Sequence, residues 1–240
     1  MYARGLNEDQ AERARQLEKV GLHRYAERVR QCGAKDGVLE FRRCGLRCCP
    51  RCASRIASTN AVKVESAILS MKRPVAGVFT FISRGPADLA AALDGLARSM
   101  SALRREARKV GVGRFVGALH PKVTARGERW NAHVHAAFEV SKHRLDDVGS
   151  LWRSITRGRG AVEVEHHRRR VDSVVSYAAY ITAEGDWCPS LADSLSSSRF
   201  DVLVAALRHR RLIVRWGFHR RPGIVWRVGP RFTSARARGE

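Results

Sequence analysis

Acidic side chains are scarce. Asp and Glu number 23 against 45 Lys and Arg, so the 240 residues carry a formal charge of +22 and a pI near 11.2. Such a balance leaves a polyanion, nucleic acid above all, as the partner the surface suits, whether the chain is an enzyme or a passive binder. Long apolar runs are missing too, and nothing approaches the ~18 residues of a membrane span. The opening Met1-Tyr2-Ala3-Arg4-Gly5 lacks the apolar core of a secretory signal. The expectation is a cytoplasmic protein with no membrane partner. A secreted disulfide frame is also absent, because the six Cys cluster mostly between 32 and 52 and read as a metal knuckle in a reducing compartment. The length suffices for one full core with appendages, or for two small domains.

What the chain does have is the run Trp130-Asn-Ala-His133-Val-His135-Ala-Ala-Phe138-Glu-Val140. As a strand it places Ala132, Val134, Ala136, Phe138 and Val140 on an apolar face and His133 with His135 on the other. Two imidazoles side by side on a rigid strand supply two-thirds of a facial metal site. The spacing alone equally describes a strand whose solvent face carries two His.

The second informative stretch is Cys32 followed by Cys44-Gly-Leu-Arg-Cys48-Cys49-Pro-Arg-Cys52. The C-x-x-C of Cys49 and Cys52 lets two thiolates turn onto one tetrahedral ion, with Cys44 as third ligand and Cys32 as fourth. Cys48 is left out, since adjacent side chains diverge. Four ligands fill the coordination sphere, so the implied Zn²⁺ is structural.

Elsewhere the signals are of fold. Asn7 to Gln10 reads as a capping box opening a helix, and Gly21 breaks it from a second one. A helix spans Ser54 to Met71, a strand Val75 to Ser83, and an amphipathic helix carries Leu89, Leu93, Leu96, Met100 and Leu103. Arg114 to Thr124 and the histidine strand form a hairpin. A helix from Leu145 to Thr156, a strand from Ala161 to His166 and a helix from Val171 to Ala183 follow. The order β-α-β-β-α-β-α predicts an α+β fold with an antiparallel sheet. The expected divisions are N-terminal helices with the Cys-rich knuckle (1–72), a central domain (73–189) and a basic C-terminal extension (190–240).

In this order along the chain, the Cys44–Cys52 cluster, His133-Val134-His135 and Asp172-Ser-Val-Val-Ser-Tyr177-Ala-Ala-Tyr180-Ile-Thr-Ala-Glu184 resemble the HUH endonucleases, specifically the rolling-circle replication initiator (Rep) proteins of bacterial plasmids. The resemblance runs from about residue 20 to 220. It implies an HUH, RRM-like palm in which a tyrosine attacks a DNA phosphodiester, leaving a 5′-phosphotyrosine link and a free 3′-OH for a polymerase. Mn²⁺ or Mg²⁺ would sit at the histidines, and the DNA would be a single-stranded or hairpin origin. A host helicase and polymerase would be further partners. Tyr177 and Tyr180 are the candidate nucleophiles, with Tyr180 favoured because Ile181-Thr182 and Asp186 better match the family's run. Arg168, Arg169 and Arg170 are candidate phosphate contacts, and equally a solvated basic cluster.

The sequence departs from the family where a metal-binding Glu commonly precedes the histidine pair, for that place holds Lys122. Two arrangements accommodate a lysine. In the favoured one His120, on the same side of its strand, is the third ligand and Lys122 turns towards the DNA phosphate. In the other, Lys122 itself is the cation at the phosphate. Glu163 and Glu165 are expected to lie too far away. Ser173 and Ser176 stand where some members carry a Glu used in termination. The rival readings are an HUH transposase and a DNA-binding repressor on the same scaffold.

Overall fold

A computed structural model describes residues 2–36, 40–82, 89–123, 130–164, 174–182, 197–207 and 212–218. Its centre is a five-stranded antiparallel sheet in the order β6-β3-β5-β4-β7. The strands are β3 (Pro74–Ile82), β4 (Phe115–Val123), β5 (Trp130–Glu139), β6 (Val162–Val164) and β7 (Ile213–Trp216), with β1 (Lys35–Asp36) and β2 (Glu40–Phe41) forming a separate ribbon. Helix α4 (Leu89–Glu106) joins β3 to β4, and α5 (Leu145–Ile155) joins β5 to β6. The fold is therefore α+β, and β3-α4-β4-β5-α5-β6 is a split β-α-β arrangement.

Alternation decides the two faces. Phe79, Phe81, Phe115, Leu119, Ala132, Val134, Ala136 and Phe138 point to one side and bury against α4 and α5. Phe79 meets Phe115, Phe138 and Trp152 edge-on with centroids 5.4–5.5 Å apart, the geometry ring quadrupoles prefer. Helix α4 has its apolar positions at three- and four-residue steps, and Leu89, Leu93, Leu96, Met100 and Leu103 are all buried.

The opposite face is not simply wet. Helices α3 (Pro50–Leu69) and α6 (Val174–Thr182) cover half of it, packing Val64, Ala67, Ile68, Tyr177 and Ala178 against Ala76, Val116, Ala118 and Ala137. Pro50 opens α3, where its missing N–H costs nothing, and Cys49 is the extended N-cap.

At the N-terminus, α1 (Tyr2–Lys19) and α2 (His23–Arg30) are separated at Gly21, which takes φ +80°. The capping box is a correction, because α1 begins at Tyr2 and Asn7 to Gln10 lie inside it. Gln10 is buried and its amide N–H groups donate to Val29 O, Arg30 O and Cys32 O at 2.5, 3.1 and 2.8 Å. It thus satisfies carbonyls that the end of α2 leaves without helical partners.

The segment expected as a C-terminal extension contributes to the same sheet. Helix α7 (Ser197–Leu207) buries Leu203 and Leu207 in the main core, and β7 pairs with β4 from Phe115↔Trp216 to Ala118↔Ile213. Trp216 stacks on Phe115 with centroids 4.0 Å apart. No helix among the described residues is long and apolar enough to cross a membrane.

Candidate functional site

The uncovered half of the second sheet face carries the histidines. β5 pairs with β4 so that His133 lies opposite His120, and His135 opposite Ala118. Opposed residues on neighbouring strands project to the same side, so His120, His133 and His135 converge. Their ring centroids are 4.9–5.7 Å apart, and one ring nitrogen from each lies within 4.8 Å of the other two. His133 is buried and the other two are half-buried.

His133 Nδ1 is 3.1 Å from Asn131 O. A carbonyl can only accept, so Nδ1 holds the proton and Nε2 is left as the ligand atom. Asn131 Oδ1, on the same face, is buried without a hydrogen-bond partner among the described residues. It is an acceptor that a metal-bound water would satisfy. Three imidazoles, a fixed tautomer and an unused acceptor fit a borderline divalent ion.

Sequence alternation alone did not single out Asn131 or Thr80. Thr80 is the register partner of His133 on β3, and its Oγ1 accepts from Ala161 N at 3.0 Å. The hairpin register could have found Asn131, whereas finding Thr80 requires knowing that β3 is the other neighbour of β5.

Lys122 lies opposite Asn131, one pair beyond His120 on the histidine side of the sheet, and its side chain is outside the described residues. Glu163 pairs with Val78, which pairs with His135. It therefore shares the face but stands two strands away, about 10 Å, and is exposed. Glu165, Arg168, Arg169, Arg170, Asp172, Ser173, Glu184 and Asp186 lie outside the described residues.

The tyrosine helix α6 packs on this same face. Tyr177 is buried and its hydroxyl donates to Ala136 O at 2.9 Å. Tyr180 follows in the same helix, and its side chain is outside the described residues.

The cysteine group is the second centre. Cys32, Cys44, Cys49 and Cys52 are buried as free thiols, with all four sulfurs within 4.8 Å of one another. Cys52 Sγ is 3.5 Å from Cys32 Sγ and 3.6 Å from Cys44 Sγ. Four sulfurs around one zinc at about 2.3 Å stand about 3.8 Å apart, so little movement closes the site. Cys48 is buried outside the group.

The thiols share charge unevenly. Hydrogen bonds from Cys44 and Cys49 draw Cys52 down to about 2. Cys44 is pushed up by its hydrogen bonds to Cys49 and Cys52 and by burial. One thiolate forms readily, and further ionisation needs a cation beside it. Both centres are compatible with bound metal.

No family model matches the chain, and neither curated proteins nor solved structures yield a match.

Proposed function

We propose that the chain is an HUH-type DNA nickase and strand transferase that initiates rolling-circle replication. The observation that carries this reading is the convergence of His120, His133 and His135 on the sheet face that also bears the tyrosine helix. The β-α-β-β-α-β order of the sheet supports it as well, being an order compatible with the palm that the resemblance implies. The +22 charge supplies the attraction to DNA.

In this reading Tyr180 is the nucleophile. Its hydroxyl oxygen forms a bond to phosphorus while the bond from phosphorus to the 3′ oxygen breaks. The leaving oxygen takes up a proton and ends as a 3′-OH, and the tyrosyl proton passes to solvent. The rigid sheet and the helix packed on it hold the reacting groups in place, which is how positioning lowers the barrier. A divalent ion held by the three histidines, Mn²⁺ or Mg²⁺, would supply polarisation of the scissile phosphate. Tyr177, committed to Ala136 O, anchors the helix and is the weaker candidate.

Lys122 favours a second reading, a repressor that binds DNA on this scaffold without cutting, because a lysine stands where the resembled proteins carry a carboxylate. A transposase differs in substrate, a defined single-stranded transposon end. The experiment is incubation with Mn²⁺ and labelled single-stranded oligonucleotides from the chain's own replicon. An SDS-stable adduct mapping to Tyr180 is expected. No adduct, with DNA binding intact, would favour the repressor.

A further inference from the structure

Away from the histidines, a groove of about 580 Å³ runs along the first half of α3 beside the cysteine centre. Arg42, Arg43, Arg51, Arg55 and Lys63 line it with Thr59, and no carboxylate among the described residues does. Arg51, Arg55, Thr59 and Lys63 follow each other at four-residue steps, about 6 Å of helix rise each, so they form a strip along α3.

We infer that this groove is a binding site for the phosphodiester backbone of DNA, separate from the histidine centre. The inference rests on DNA being the substrate, as proposed above, and adds where the strand is held.

A basic chain has arginines everywhere, so what is done with them decides the matter. Elsewhere some cations are paired with acids: Arg15 with Glu12, Arg30 with Glu18, Lys109 with Glu106, Arg114 with Glu139, Arg144 with Asp147. In the groove Arg51 is held by uncharged amides from α1. Its Nε donates to Gln10 Oε1 at 2.6 Å and its Nη2 to Asn7 Oδ1. Arg42 Nη1 likewise donates to Gln31 Oε1 at 2.6 Å. At Arg51 the amides fix the guanidinium without neutralising it, which leaves its charge available to an anion. No ion pair among the described residues engages Arg43, Arg51 or Arg55.

The cysteine centre supplies the opposing consideration. A divalent ion with four thiolates carries two net negative charges, and nearby cations would offset them. Arg43, Arg51 and Arg55 alone, which no ion pair among the described residues engages, exceed those two charges by one. Balancing the metal centre accounts for part of the cluster and not for all of it. Thr59 adds a hydroxyl donor of the kind that fixes a phosphate oxygen.

The test is fluorescence anisotropy of zinc-loaded protein without added Mn²⁺ or Mg²⁺ over a range of salt, with a labelled oligo-dT strand and a labelled duplex of equal length. Wild type is compared with an Arg43→Ala/Arg55→Ala/Lys63→Ala variant and with Arg98→Ala/Arg104→Ala/Arg105→Ala, which removes the same charge from exposed positions of α4. The groove variant should lose at least about tenfold in affinity for the strand. Its slope of log K against log salt should flatten by about 2, since each single-strand phosphate contact contributes about 0.7. The α4 variant should keep the wild-type slope, and replacing the two groove arginines by Lys should restore most of the lost affinity. Retained zinc in the groove variant shows that the centre is intact. If both triple variants lose equally, net charge is the cause and the inference fails while the nickase reading stands. If wild type binds neither DNA, both fail.

Discussion

His120 and His133 are register partners across the β4–β5 ladder, and their ring centroids stand 5.7 Å apart. With His135 they make a group of three imidazoles that could hold a metal ion, without a carboxylate among the described residues. Imidazole favours Mn²⁺, Co²⁺ and Zn²⁺ over Mg²⁺, which prefers oxygen. Titration calorimetry of zinc-loaded protein with a second ion should show Mn²⁺ binding well ahead of Mg²⁺. His120→Ala should weaken Mn²⁺ by about 100-fold or more, at the upper end of what the loss of a mere supporting partner costs. Equal affinities for Mn²⁺ and Mg²⁺ would count against the three-histidine set.

Lys122 stands one pair further along the same face, opposite Asn131. An ammonium ion near a divalent ion repels it, and a carboxylate attracts it. Lys122→Glu should therefore tighten Mn²⁺ binding by about tenfold, equivalent to about 1.4 kcal/mol. Unchanged affinity would mean that the side chain at this position points away from the site.

The cysteine centre predicts a dependence on pH that metal reverses. In the metal-free protein Cys44 is raised by hydrogen bonds from Cys49 and Cys52. Cys49 is lowered by Cys44, but Cys52 and burial outweigh that and hold it at about 12. Groups raised above their unfolded values stabilise the fold below those values, and the contribution is lost as pH rises through the folded ones. Cys52, lowered, acts in the opposite sense and loses its contribution as pH falls towards about 2. Reduced, EDTA-treated protein should thus lose melting temperature more steeply than zinc-loaded protein between about pH 9 and about pH 12. Cys52→Ser should release the zinc. Cys48→Ser should retain it and cost about 1 kcal/mol, or about 3 °C. Metal analysis with differential scanning fluorimetry reads both, and no zinc in freshly purified wild type would refute the centre.

Tyr177 and Tyr180 are expected to play two separate roles. Tyr177→Phe removes a buried hydrogen bond to Ala136 O, which should cost about 1–2 kcal/mol in urea unfolding and leave DNA adduct formation intact. Tyr180→Phe should leave stability unchanged and abolish the adduct. An adduct surviving in Tyr180→Phe and lost in Tyr177→Phe would reverse the assignment.

The sheet was legible where periodicity was strong. The alternation around His133 and His135 marks β5, and the antiparallel pairing of β4 with β5 puts His120 beside them. The grouping of Cys32, Cys44, Cys49 and Cys52 follows from their spacing. Three features were not legible. Asn7 and Gln10 resemble a helix start because capping residues are short and polar, yet their side chains serve Arg51 and the end of α2. β7 has only four residues, Ile213–Trp216, and pairing with β4 rather than any local pattern makes it a strand. The solvent face expected of β5 is half covered by α3 and α6, and an alternating Ala at position 137 reads the same whether a helix lies on it or water does.

The most direct measurement is adduct formation with Mn²⁺ and a labelled single-stranded origin oligonucleotide by wild type, His120→Ala, His133→Ala and Lys122→Ala. The account predicts an SDS-stable adduct for wild type and Lys122→Ala, and none for either histidine variant. Normal cutting by His120→Ala together with failure of Lys122→Ala would contradict it, and would make the lysine the cation at the phosphate.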